Sequence, residues 1–295
     1  MALPWLESAM GRIQESLDAG ALPHALLLTA EQGWGERALG QWLTLRLLDE
    51  DPSRVPTELA HPDLRWIAPD GAEIKVDAVR ELAGFAYATA QQGSAKVIVF
   101  EDAHLLNRAA ANALLKTLEE PPLGTFILLC SCFPGRLLPT VRSRCQRFHV
   151  RADASAARAW LARETGTDDA ELEARLYAAG GAPLAVLEEL EEGRPPIGTL
   201  LDQVLQAPEP LARLDDLLAL PPAALTGGWY RYLVGALAGV GHFPALAQAP
   251  RRALLGFADE LLWVRAQLLT TNSANARLLV GRLTSRWHEL GASIS

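Results

Sequence analysis

The chain reads as an α/β domain of P-loop type, built on a parallel sheet and followed by helices alone. Three features point there. Short apolar runs recur at Ala25–Thr29, Lys96–Phe100 and residues 125–130, and continuous apolar runs suit strands buried on both faces. Helical patterns separate these runs, as in a parallel sheet with helices on both sides. Past residue 150 no strand pattern appears.

The elements follow in order. The run at 25–29 leads into a glycine-containing turn and a helical pattern through Leu48. Residues 77–87 place Val79, Leu82, Ala83 and Ala86 on one face. Residues 107–120 do the same with Ala110, Ala113, Leu114, Thr117 and Leu118, then stop at Pro121-Pro122, which cannot continue a helix. Residues 154–164, 168–179 and 183–192 read as short helices, the last two separated by Gly180-Gly181. Pro195-Pro196 and Gly198 resemble a linker. Residues 251–270 place Leu254, Ala258, Leu261, Leu262, Arg265 and Leu268 at helical spacing, and 273–290 repeat the pattern. Pro221-Pro222 and Gly227-Gly228 read as turns. Three domains are predicted: 1–150, 151–197 and 198–295.

The totals restrict the function. A chain of 295 residues with 49% hydrophobic residues fills more than one ordinary core. Its net charge of −8 argues against holding nucleic acid by bulk electrostatics. The three cysteines, Cys130, Cys132 and Cys145, sit in one short region, which fits a reducing cytoplasm better than a disulfide framework. No basic, apolar leader opens the chain, and no stretch approaches the ~20 apolar residues that cross a bilayer. Most of the eight tryptophans read as core or interface fillers.

After the first strand comes Ala30-Glu31-Gln32-Gly33-Trp34-Gly35-Glu36-Arg37. Strand, turn and helix suit a phosphate loop, G-x-x-x-x-G-K-[ST], and Gly33 and Gly35 preserve the turn. The first glycine is replaced by Ala30, the lysine by Glu36 and the hydroxyl residue by Arg37. A carboxylate at 36 repels a triphosphate, and a guanidinium at 37 has no acceptor for a cation. An ordinary βα turn is the other reading. The strand at 96–100 ends in Glu101-Asp102, a Walker B pattern with its acids in reversed order. Either the pair faces a metal, or it caps the next helix.

Residues 134–145 end in Ser143-Arg144-Cys145. Together with the run Asn112-Ala113-Leu114-Leu115-Lys116-Thr117-Leu118-Glu119-Glu120-Pro121-Pro122, this resembles the clamp-loader AAA+ family of bacterial DNA polymerase III. Leu22-Pro23-His24, His61-Pro62-Asp63 and Val76-Asp77-Ala78-Val79-Arg80 also match that family. The resemblance covers the first ~200 residues, with the motifs in the family's order; the last third fits as a generic helical collar.

The resemblance implies an AAA+ domain over 1–150 with a degenerate nucleotide site, a helical lid over 151–197 and an oligomerising collar over 198–295. It makes Arg144 an arginine finger reaching a neighbour's ATP in trans, with Ser143 and Cys145 completing its motif. The chemistry suits arginine, always charged and forked; apart from the family, Arg144 reads as a surface residue of a basic turn with Arg142 and Arg147. The sensor-1 position falls near Ser131-Cys132, and the sensor-2 arginine is replaced by Leu184, which cannot bind phosphate.

That pattern resembles a non-motor subunit, without ATPase or polymerase activity of its own, working within the polymerase III holoenzyme. Its implied partners are gamma/tau and delta subunits in a hetero-pentamer, the sliding clamp and, indirectly, primed DNA. An active gamma/tau-like motor using Glu101 and Asp102 with magnesium, and a stand-alone DNA-binding protein, are the alternatives. No productive ATP binding is expected. No zinc is expected either: residues 47–60 hold no cysteine, and structural zinc takes four ligands.

Overall fold

The computed structural model describes residues 3–71, 73–238, 246, 250–270 and 275–292. They divide into two compact units, residues 1–157 and 158–295.

The first unit holds five strands: β1 (Ala25–Thr29), β2 (Leu64–Ile67), β3 (Lys96–Phe100), β4 (Thr125–Ser131) and β5 (Gln146–His149). Between and around them run α1 (Glu7–Asp18), α2 (Glu36–Leu47), α3 (Val76–Tyr87), α4 (Arg108–Glu119) and α5 (Pro139–Arg142). The strands lie in the order β2-β3-β4-β1-β5, and every neighbouring pair is parallel. Leu27 pairs with Leu129 across β1 and β4, and Val99 with Leu128 across β3 and β4.

Strand alternation divides the apolar residues between two faces. Ala25, Leu27, Ile98, Phe100, Ile127 and Leu129 pack with Val79, Leu82 and Ala86 of α3, with Ala110, Leu114 and Leu118 of α4 and with Val141 of α5. Leu26, Leu28, Val97, Val99, Leu128 and Cys130 are also buried, and by alternation face the other way, toward α2, which packs on β1, β3 and β4. Burying each such leucine contributes about 1.5–3 kcal/mol. Because β1 lies between β4 and β5, its carboxyl end borders the crevice where parallel sheets bind ligands. Thr29, Phe100 and Ser131, the last residues of β1, β3 and β4, are all fully buried at that edge.

The strands β2 and β5 are not legible as apolar runs. Both are sheet edges: Arg65, Gln146 and Arg147 are exposed, so polar residues interrupt the pattern.

Among the described residues no strand follows β5. The second unit carries α7 (Asp169–Ala178), α8 (Pro183–Glu191), α9 (Ile197–Gln206), α10 (Leu214–Leu218), α11 (Pro222–Ala238), α12 (Arg251–Thr270) and α13 (Ala276–Ala292), and the boundary between units falls within α6 (Ala154–Thr165). Residues 273 and 274 of the predicted last helix lie outside the described residues. The core gathers Trp229, Phe257 and Trp287, whose ring centroids are 5.0–5.7 Å apart, and Trp287 Nε1 donates to the Leu201 carbonyl at 3.1 Å. Trp263, by contrast, is half exposed on α12.

One turn assignment and one linker assignment are corrected. Gly227-Gly228 lies inside α11 and Gly198 inside α9. The pair serves packing: a Cβ on Gly227 would meet Arg265 Nη1 at 2.8 Å, and one on Gly228 would meet the Ile197 side chain at 2.9 Å. No helix of the described residues is long and apolar enough to cross a membrane.

Candidate functional site

The loop from β1 to α2 turns on two glycines. Gly33 and Gly35 both have positive φ, 76° and 90°, where a Cβ is strained. Between them Trp34 is buried; its carbonyl accepts from Trp5 Nε1 at 2.9 Å, and the two rings stack edge to face. Trp5, in the turn just before α1, thus ties the start of the chain to this loop.

The side chains have a different chemistry. Glu36, first residue of α2, is buried. Burial raises its pKa, and the charge of Asp102 adds to the rise, against the opposing effects of its own backbone N–H and of Arg37. Arg37 points to the end of β3, Nη1 lying 2.7 Å from Glu101 Oε1 and Nη2 2.9 Å from Asp102 Oδ2. Trp66 Nε1 takes the other Glu101 oxygen at 2.7 Å. Asp102 adopts a left-handed φ of 50°, which aspartate tolerates better than most residues. Neither acid caps a helix: the side chain of Asp102 makes no cap bond, and α4 is capped by Asn107, which accepts from Ala110 N at 2.9 Å. The two predicted motifs therefore meet, joined by an internal cation.

At the end of β4, Ser131 Oγ lies 3.3 Å from His104 Nδ1 and accepts from Phe133 N. Burial depresses the pKa of His104, with Asp102 opposing. Burial, then the charges of Glu36 and Asp102, push the Cys132 thiol up to about 12. One ligand atom each of Asp102, His104 and Cys132 lies within 4.8 Å of the others, a juxtaposition that strand pairing creates and residue spacing conceals. It is a poor metal cage: structural zinc takes four donors, and Arg37 already pairs with Asp102.

Arg144 lies in the turn between α5 and β5. Its Nη1 donates to the Thr140 carbonyl at 2.8 Å and approaches Ser143 Oγ at 3.4 Å, and Nη2 pairs with Glu119, last residue of α4. Ser143 Oγ donates to the same carbonyl at 3.1 Å, and Cys145 Sγ donates to Val141 O at 3.3 Å. Burial pushes the Cys145 thiol up to about 11, so serine and cysteine shape the turn around the arginine. Of the basic neighbours, Arg147 donates to Thr29 Oγ1 at 3.1 Å and Arg142 is exposed. Leu184 lies on α8, in the second unit.

The His61-Pro62-Asp63 segment has a structural task that its sequence does not disclose. Asp63 accepts the backbone N–H groups of Gln91 and Gln92 at 2.7–3.0 Å. Buried Lys96 donates to the carbonyls of Phe85, Ala86 and Ala88 at the end of α3. Asp63, Phe85, Ala88, Gln91 and Lys96 border a pocket of about 280 Å³ whose amine is already occupied by backbone oxygens.

The family described as DNA polymerase III, delta subunit, matches residues 5–154. The DNA polymerase III subunit delta' of Pseudomonas aeruginosa is 34% identical over 306 aligned positions, covering 90% of this chain and 92% of that one. The subunit delta' of Escherichia coli K12 is 40% identical over 199 positions, covering 62% of this chain and 59% of its own. Among solved structures, a DNA polymerase III gamma subunit-related protein of Thermotoga maritima aligns over 97% of this chain and 99% of its own, with a TM-score of 0.57 and 18% identity, a likeness of fold.

Proposed function

The chain belongs to the delta-prime family of DNA polymerase III subunits, and from that premise we propose that it is a non-hydrolysing clamp-loader subunit whose Arg144 acts on the ATP of a neighbour. Its own site does not fit ATP with magnesium. The observation that carries this reading is the bridge from Arg37 to Glu101 and Asp102 at 2.7 and 2.9 Å. In an active P-loop site a hydroxyl and an acid hold magnesium, and a lysine neutralises the phosphates. Here a guanidinium pairs with both acids, and the lysine position carries a buried carboxylate. The retained turn at Gly33 and Gly35 favours a motor reading, but it supplies only backbone.

Arg144 acts by charge and shape. Phosphoryl transfer builds charge on equatorial phosphate oxygens, and an arginine supplied in trans stabilises it. The side chain is partly exposed at a turn that can meet another subunit. The proposed partners are gamma/tau and delta subunits in a hetero-pentamer in the cytoplasm, which opens the sliding clamp and places it on primed DNA. Leu255, Leu262 and Trp263 support packing into such a ring: they are exposed on α12 at spacings that share one helix face.

The test is ATP turnover by the assembly with this chain or its Arg144→Ala variant, and by the chain alone. The chain alone is expected to be silent. Removing a finger slows its site by ~10³-fold or more, so the assembly loses that one site's share while sedimenting unchanged. Turnover by the chain alone, with no effect of Arg144→Ala on the complex, would replace this reading with the motor.

A further inference from the structure

An arginine that must meet a phosphate on another subunit loses rotamer freedom when it does so. Arg144 starts from a poor platform, a short turn after the four-residue α5, with Arg142, Ser143 and Gln146 exposed around it. Two of its contacts, Thr140 O and Ser143 Oγ, belong to this same segment and move with it. The third does not. Glu119 closes α4, whose Leu114 and Leu118 are buried in the core that also holds Val141 of α5, and Pro121-Pro122 fixes where that helix ends.

We propose that Glu119 is the positioning residue for Arg144, holding its guanidinium at the end of α4 so that a neighbour's phosphate meets an arginine already in place. Glu119 has this role only if Arg144 is the in-trans finger argued above. The side chains are 34% and 48% exposed, and an exposed ion pair contributes little to fold stability. Such a pair orients the guanidinium without locking it. Arginine carries five N–H donors, and the contacts described use Nη1 and one side of Nη2. The Nε–H and the second Nη2–H remain for phosphate oxygens while the carboxylate still holds.

The experiment measures steady-state ATP turnover of the reconstituted complex against ATP concentration, with wild type, Arg144→Ala, Glu119→Gln and the double variant. The turnover lost in Arg144→Ala defines the finger-dependent share. Glu119→Gln, which keeps size and helix, is expected to slow that site about fivefold. It therefore removes most of the share at saturating ATP, and moves the apparent KM less than about twofold. The double variant is expected to match Arg144→Ala alone, a non-additivity that a general loss of structure does not produce. If Arg144→Ala matters but Glu119→Gln leaves turnover unchanged or raises it, the positioning role is overturned and the finger stands. If Arg144→Ala itself has no effect, the finger reading fails first, and the positioning role with it.

Discussion

Arg37 Nη1 lies 2.7 Å from Glu101 Oε1, so the start of α2 is tied to the carboxyl end of β3 by an ion pair within one subunit. Asp102 shares the same guanidinium. Arg37→Gln removes the cation and leaves two neighbouring acids repelling each other beside Glu36. The acids are only 16% and 23% exposed, while Arg37 is 47% exposed, so screening limits the loss to about 1 kcal/mol. Thermal melts should show a lower Tm, with a smaller difference at 1 M salt, where the Debye length is about 3 Å. An unchanged Tm at low salt would mean the bridge contributes nothing to folding.

Two groups at this site should give stability opposite slopes with pH. Burial raises the pKa of Glu36 above its ordinary 4.5. Its contribution is therefore full below pH 4.5 and declines as pH rises through the raised value. Glu36→Gln mimics the protonated form, so it should raise Tm at neutral pH and remove that decline. Burial lowers the pKa of His104 below 6.5. Its contribution is present above 6.5 and is lost as pH falls through the lowered value, and His104→Gln should lessen the acid-side loss. Melts of both variants across pH 4–8 separate the two windows.

The sequence discloses these positions unevenly, for physical reasons. The central strands β1 and β3 are buried throughout, and β4 is buried at every residue but Phe126, so their middles read as apolar runs, whereas Arg65 and Arg147 disguise the edge strands. The phosphate-loop and acid motifs are each visible locally. That Arg37 spans them is not, because the contact depends on parallel pairing that brings strand ends together. Gly227 and Gly228 mislead for the opposite reason: glycine marks a turn in one setting and a close helix crossing in another, and Arg265 and Ile197 are what decide between them. The Glu119–Arg144 pair likewise needs the packing of α4 on α5, although both residues stand in motifs that the sequence displays.

The cysteines should be unreactive thiols. Burial pushes Cys145 up to about 11 and, with the nearby carboxylates, Cys132 up to about 12; Cys130 is fully buried and pushed up as well. Thiolate is the reactive species, so maleimide labelling at pH 7.5 should be at least about a hundredfold slower than for a free cysteine. All three should label after denaturation. Rapid labelling of Cys145 in the folded chain would contradict its structural place in the turn.

Lys96 opens β3, yet only 2% of the residue is exposed. Its amine reaches carbonyl oxygens of Phe85, Ala86 and Ala88, where the end of α3 leaves acceptors without helical partners and the helix dipole favours a cation. Burial lowers its pKa, and the charge of Asp63 partly restores it. Lys96→Met keeps the stem's length and apolar contacts but removes every donor. Thr125 Oγ1 still reaches the Ala86 carbonyl at 3.3 Å, while the Phe85 and Ala88 carbonyls lose this donor. Hydrogen bonds from a charged donor are worth ~1.5–3 kcal/mol each, less what the chain regains by relaxing, so a loss of about 2–4 kcal/mol is expected in urea unfolding. Turnover of the assembly at a temperature where the variant is folded should stay unchanged, since the Lys96 amine is spent on the carbonyls of Phe85, Ala86 and Ala88, whereas Arg144 is held by Thr140, Ser143 and Glu119. A more stable variant would mean that the cost of burying the ammonium exceeds what the three carbonyls return.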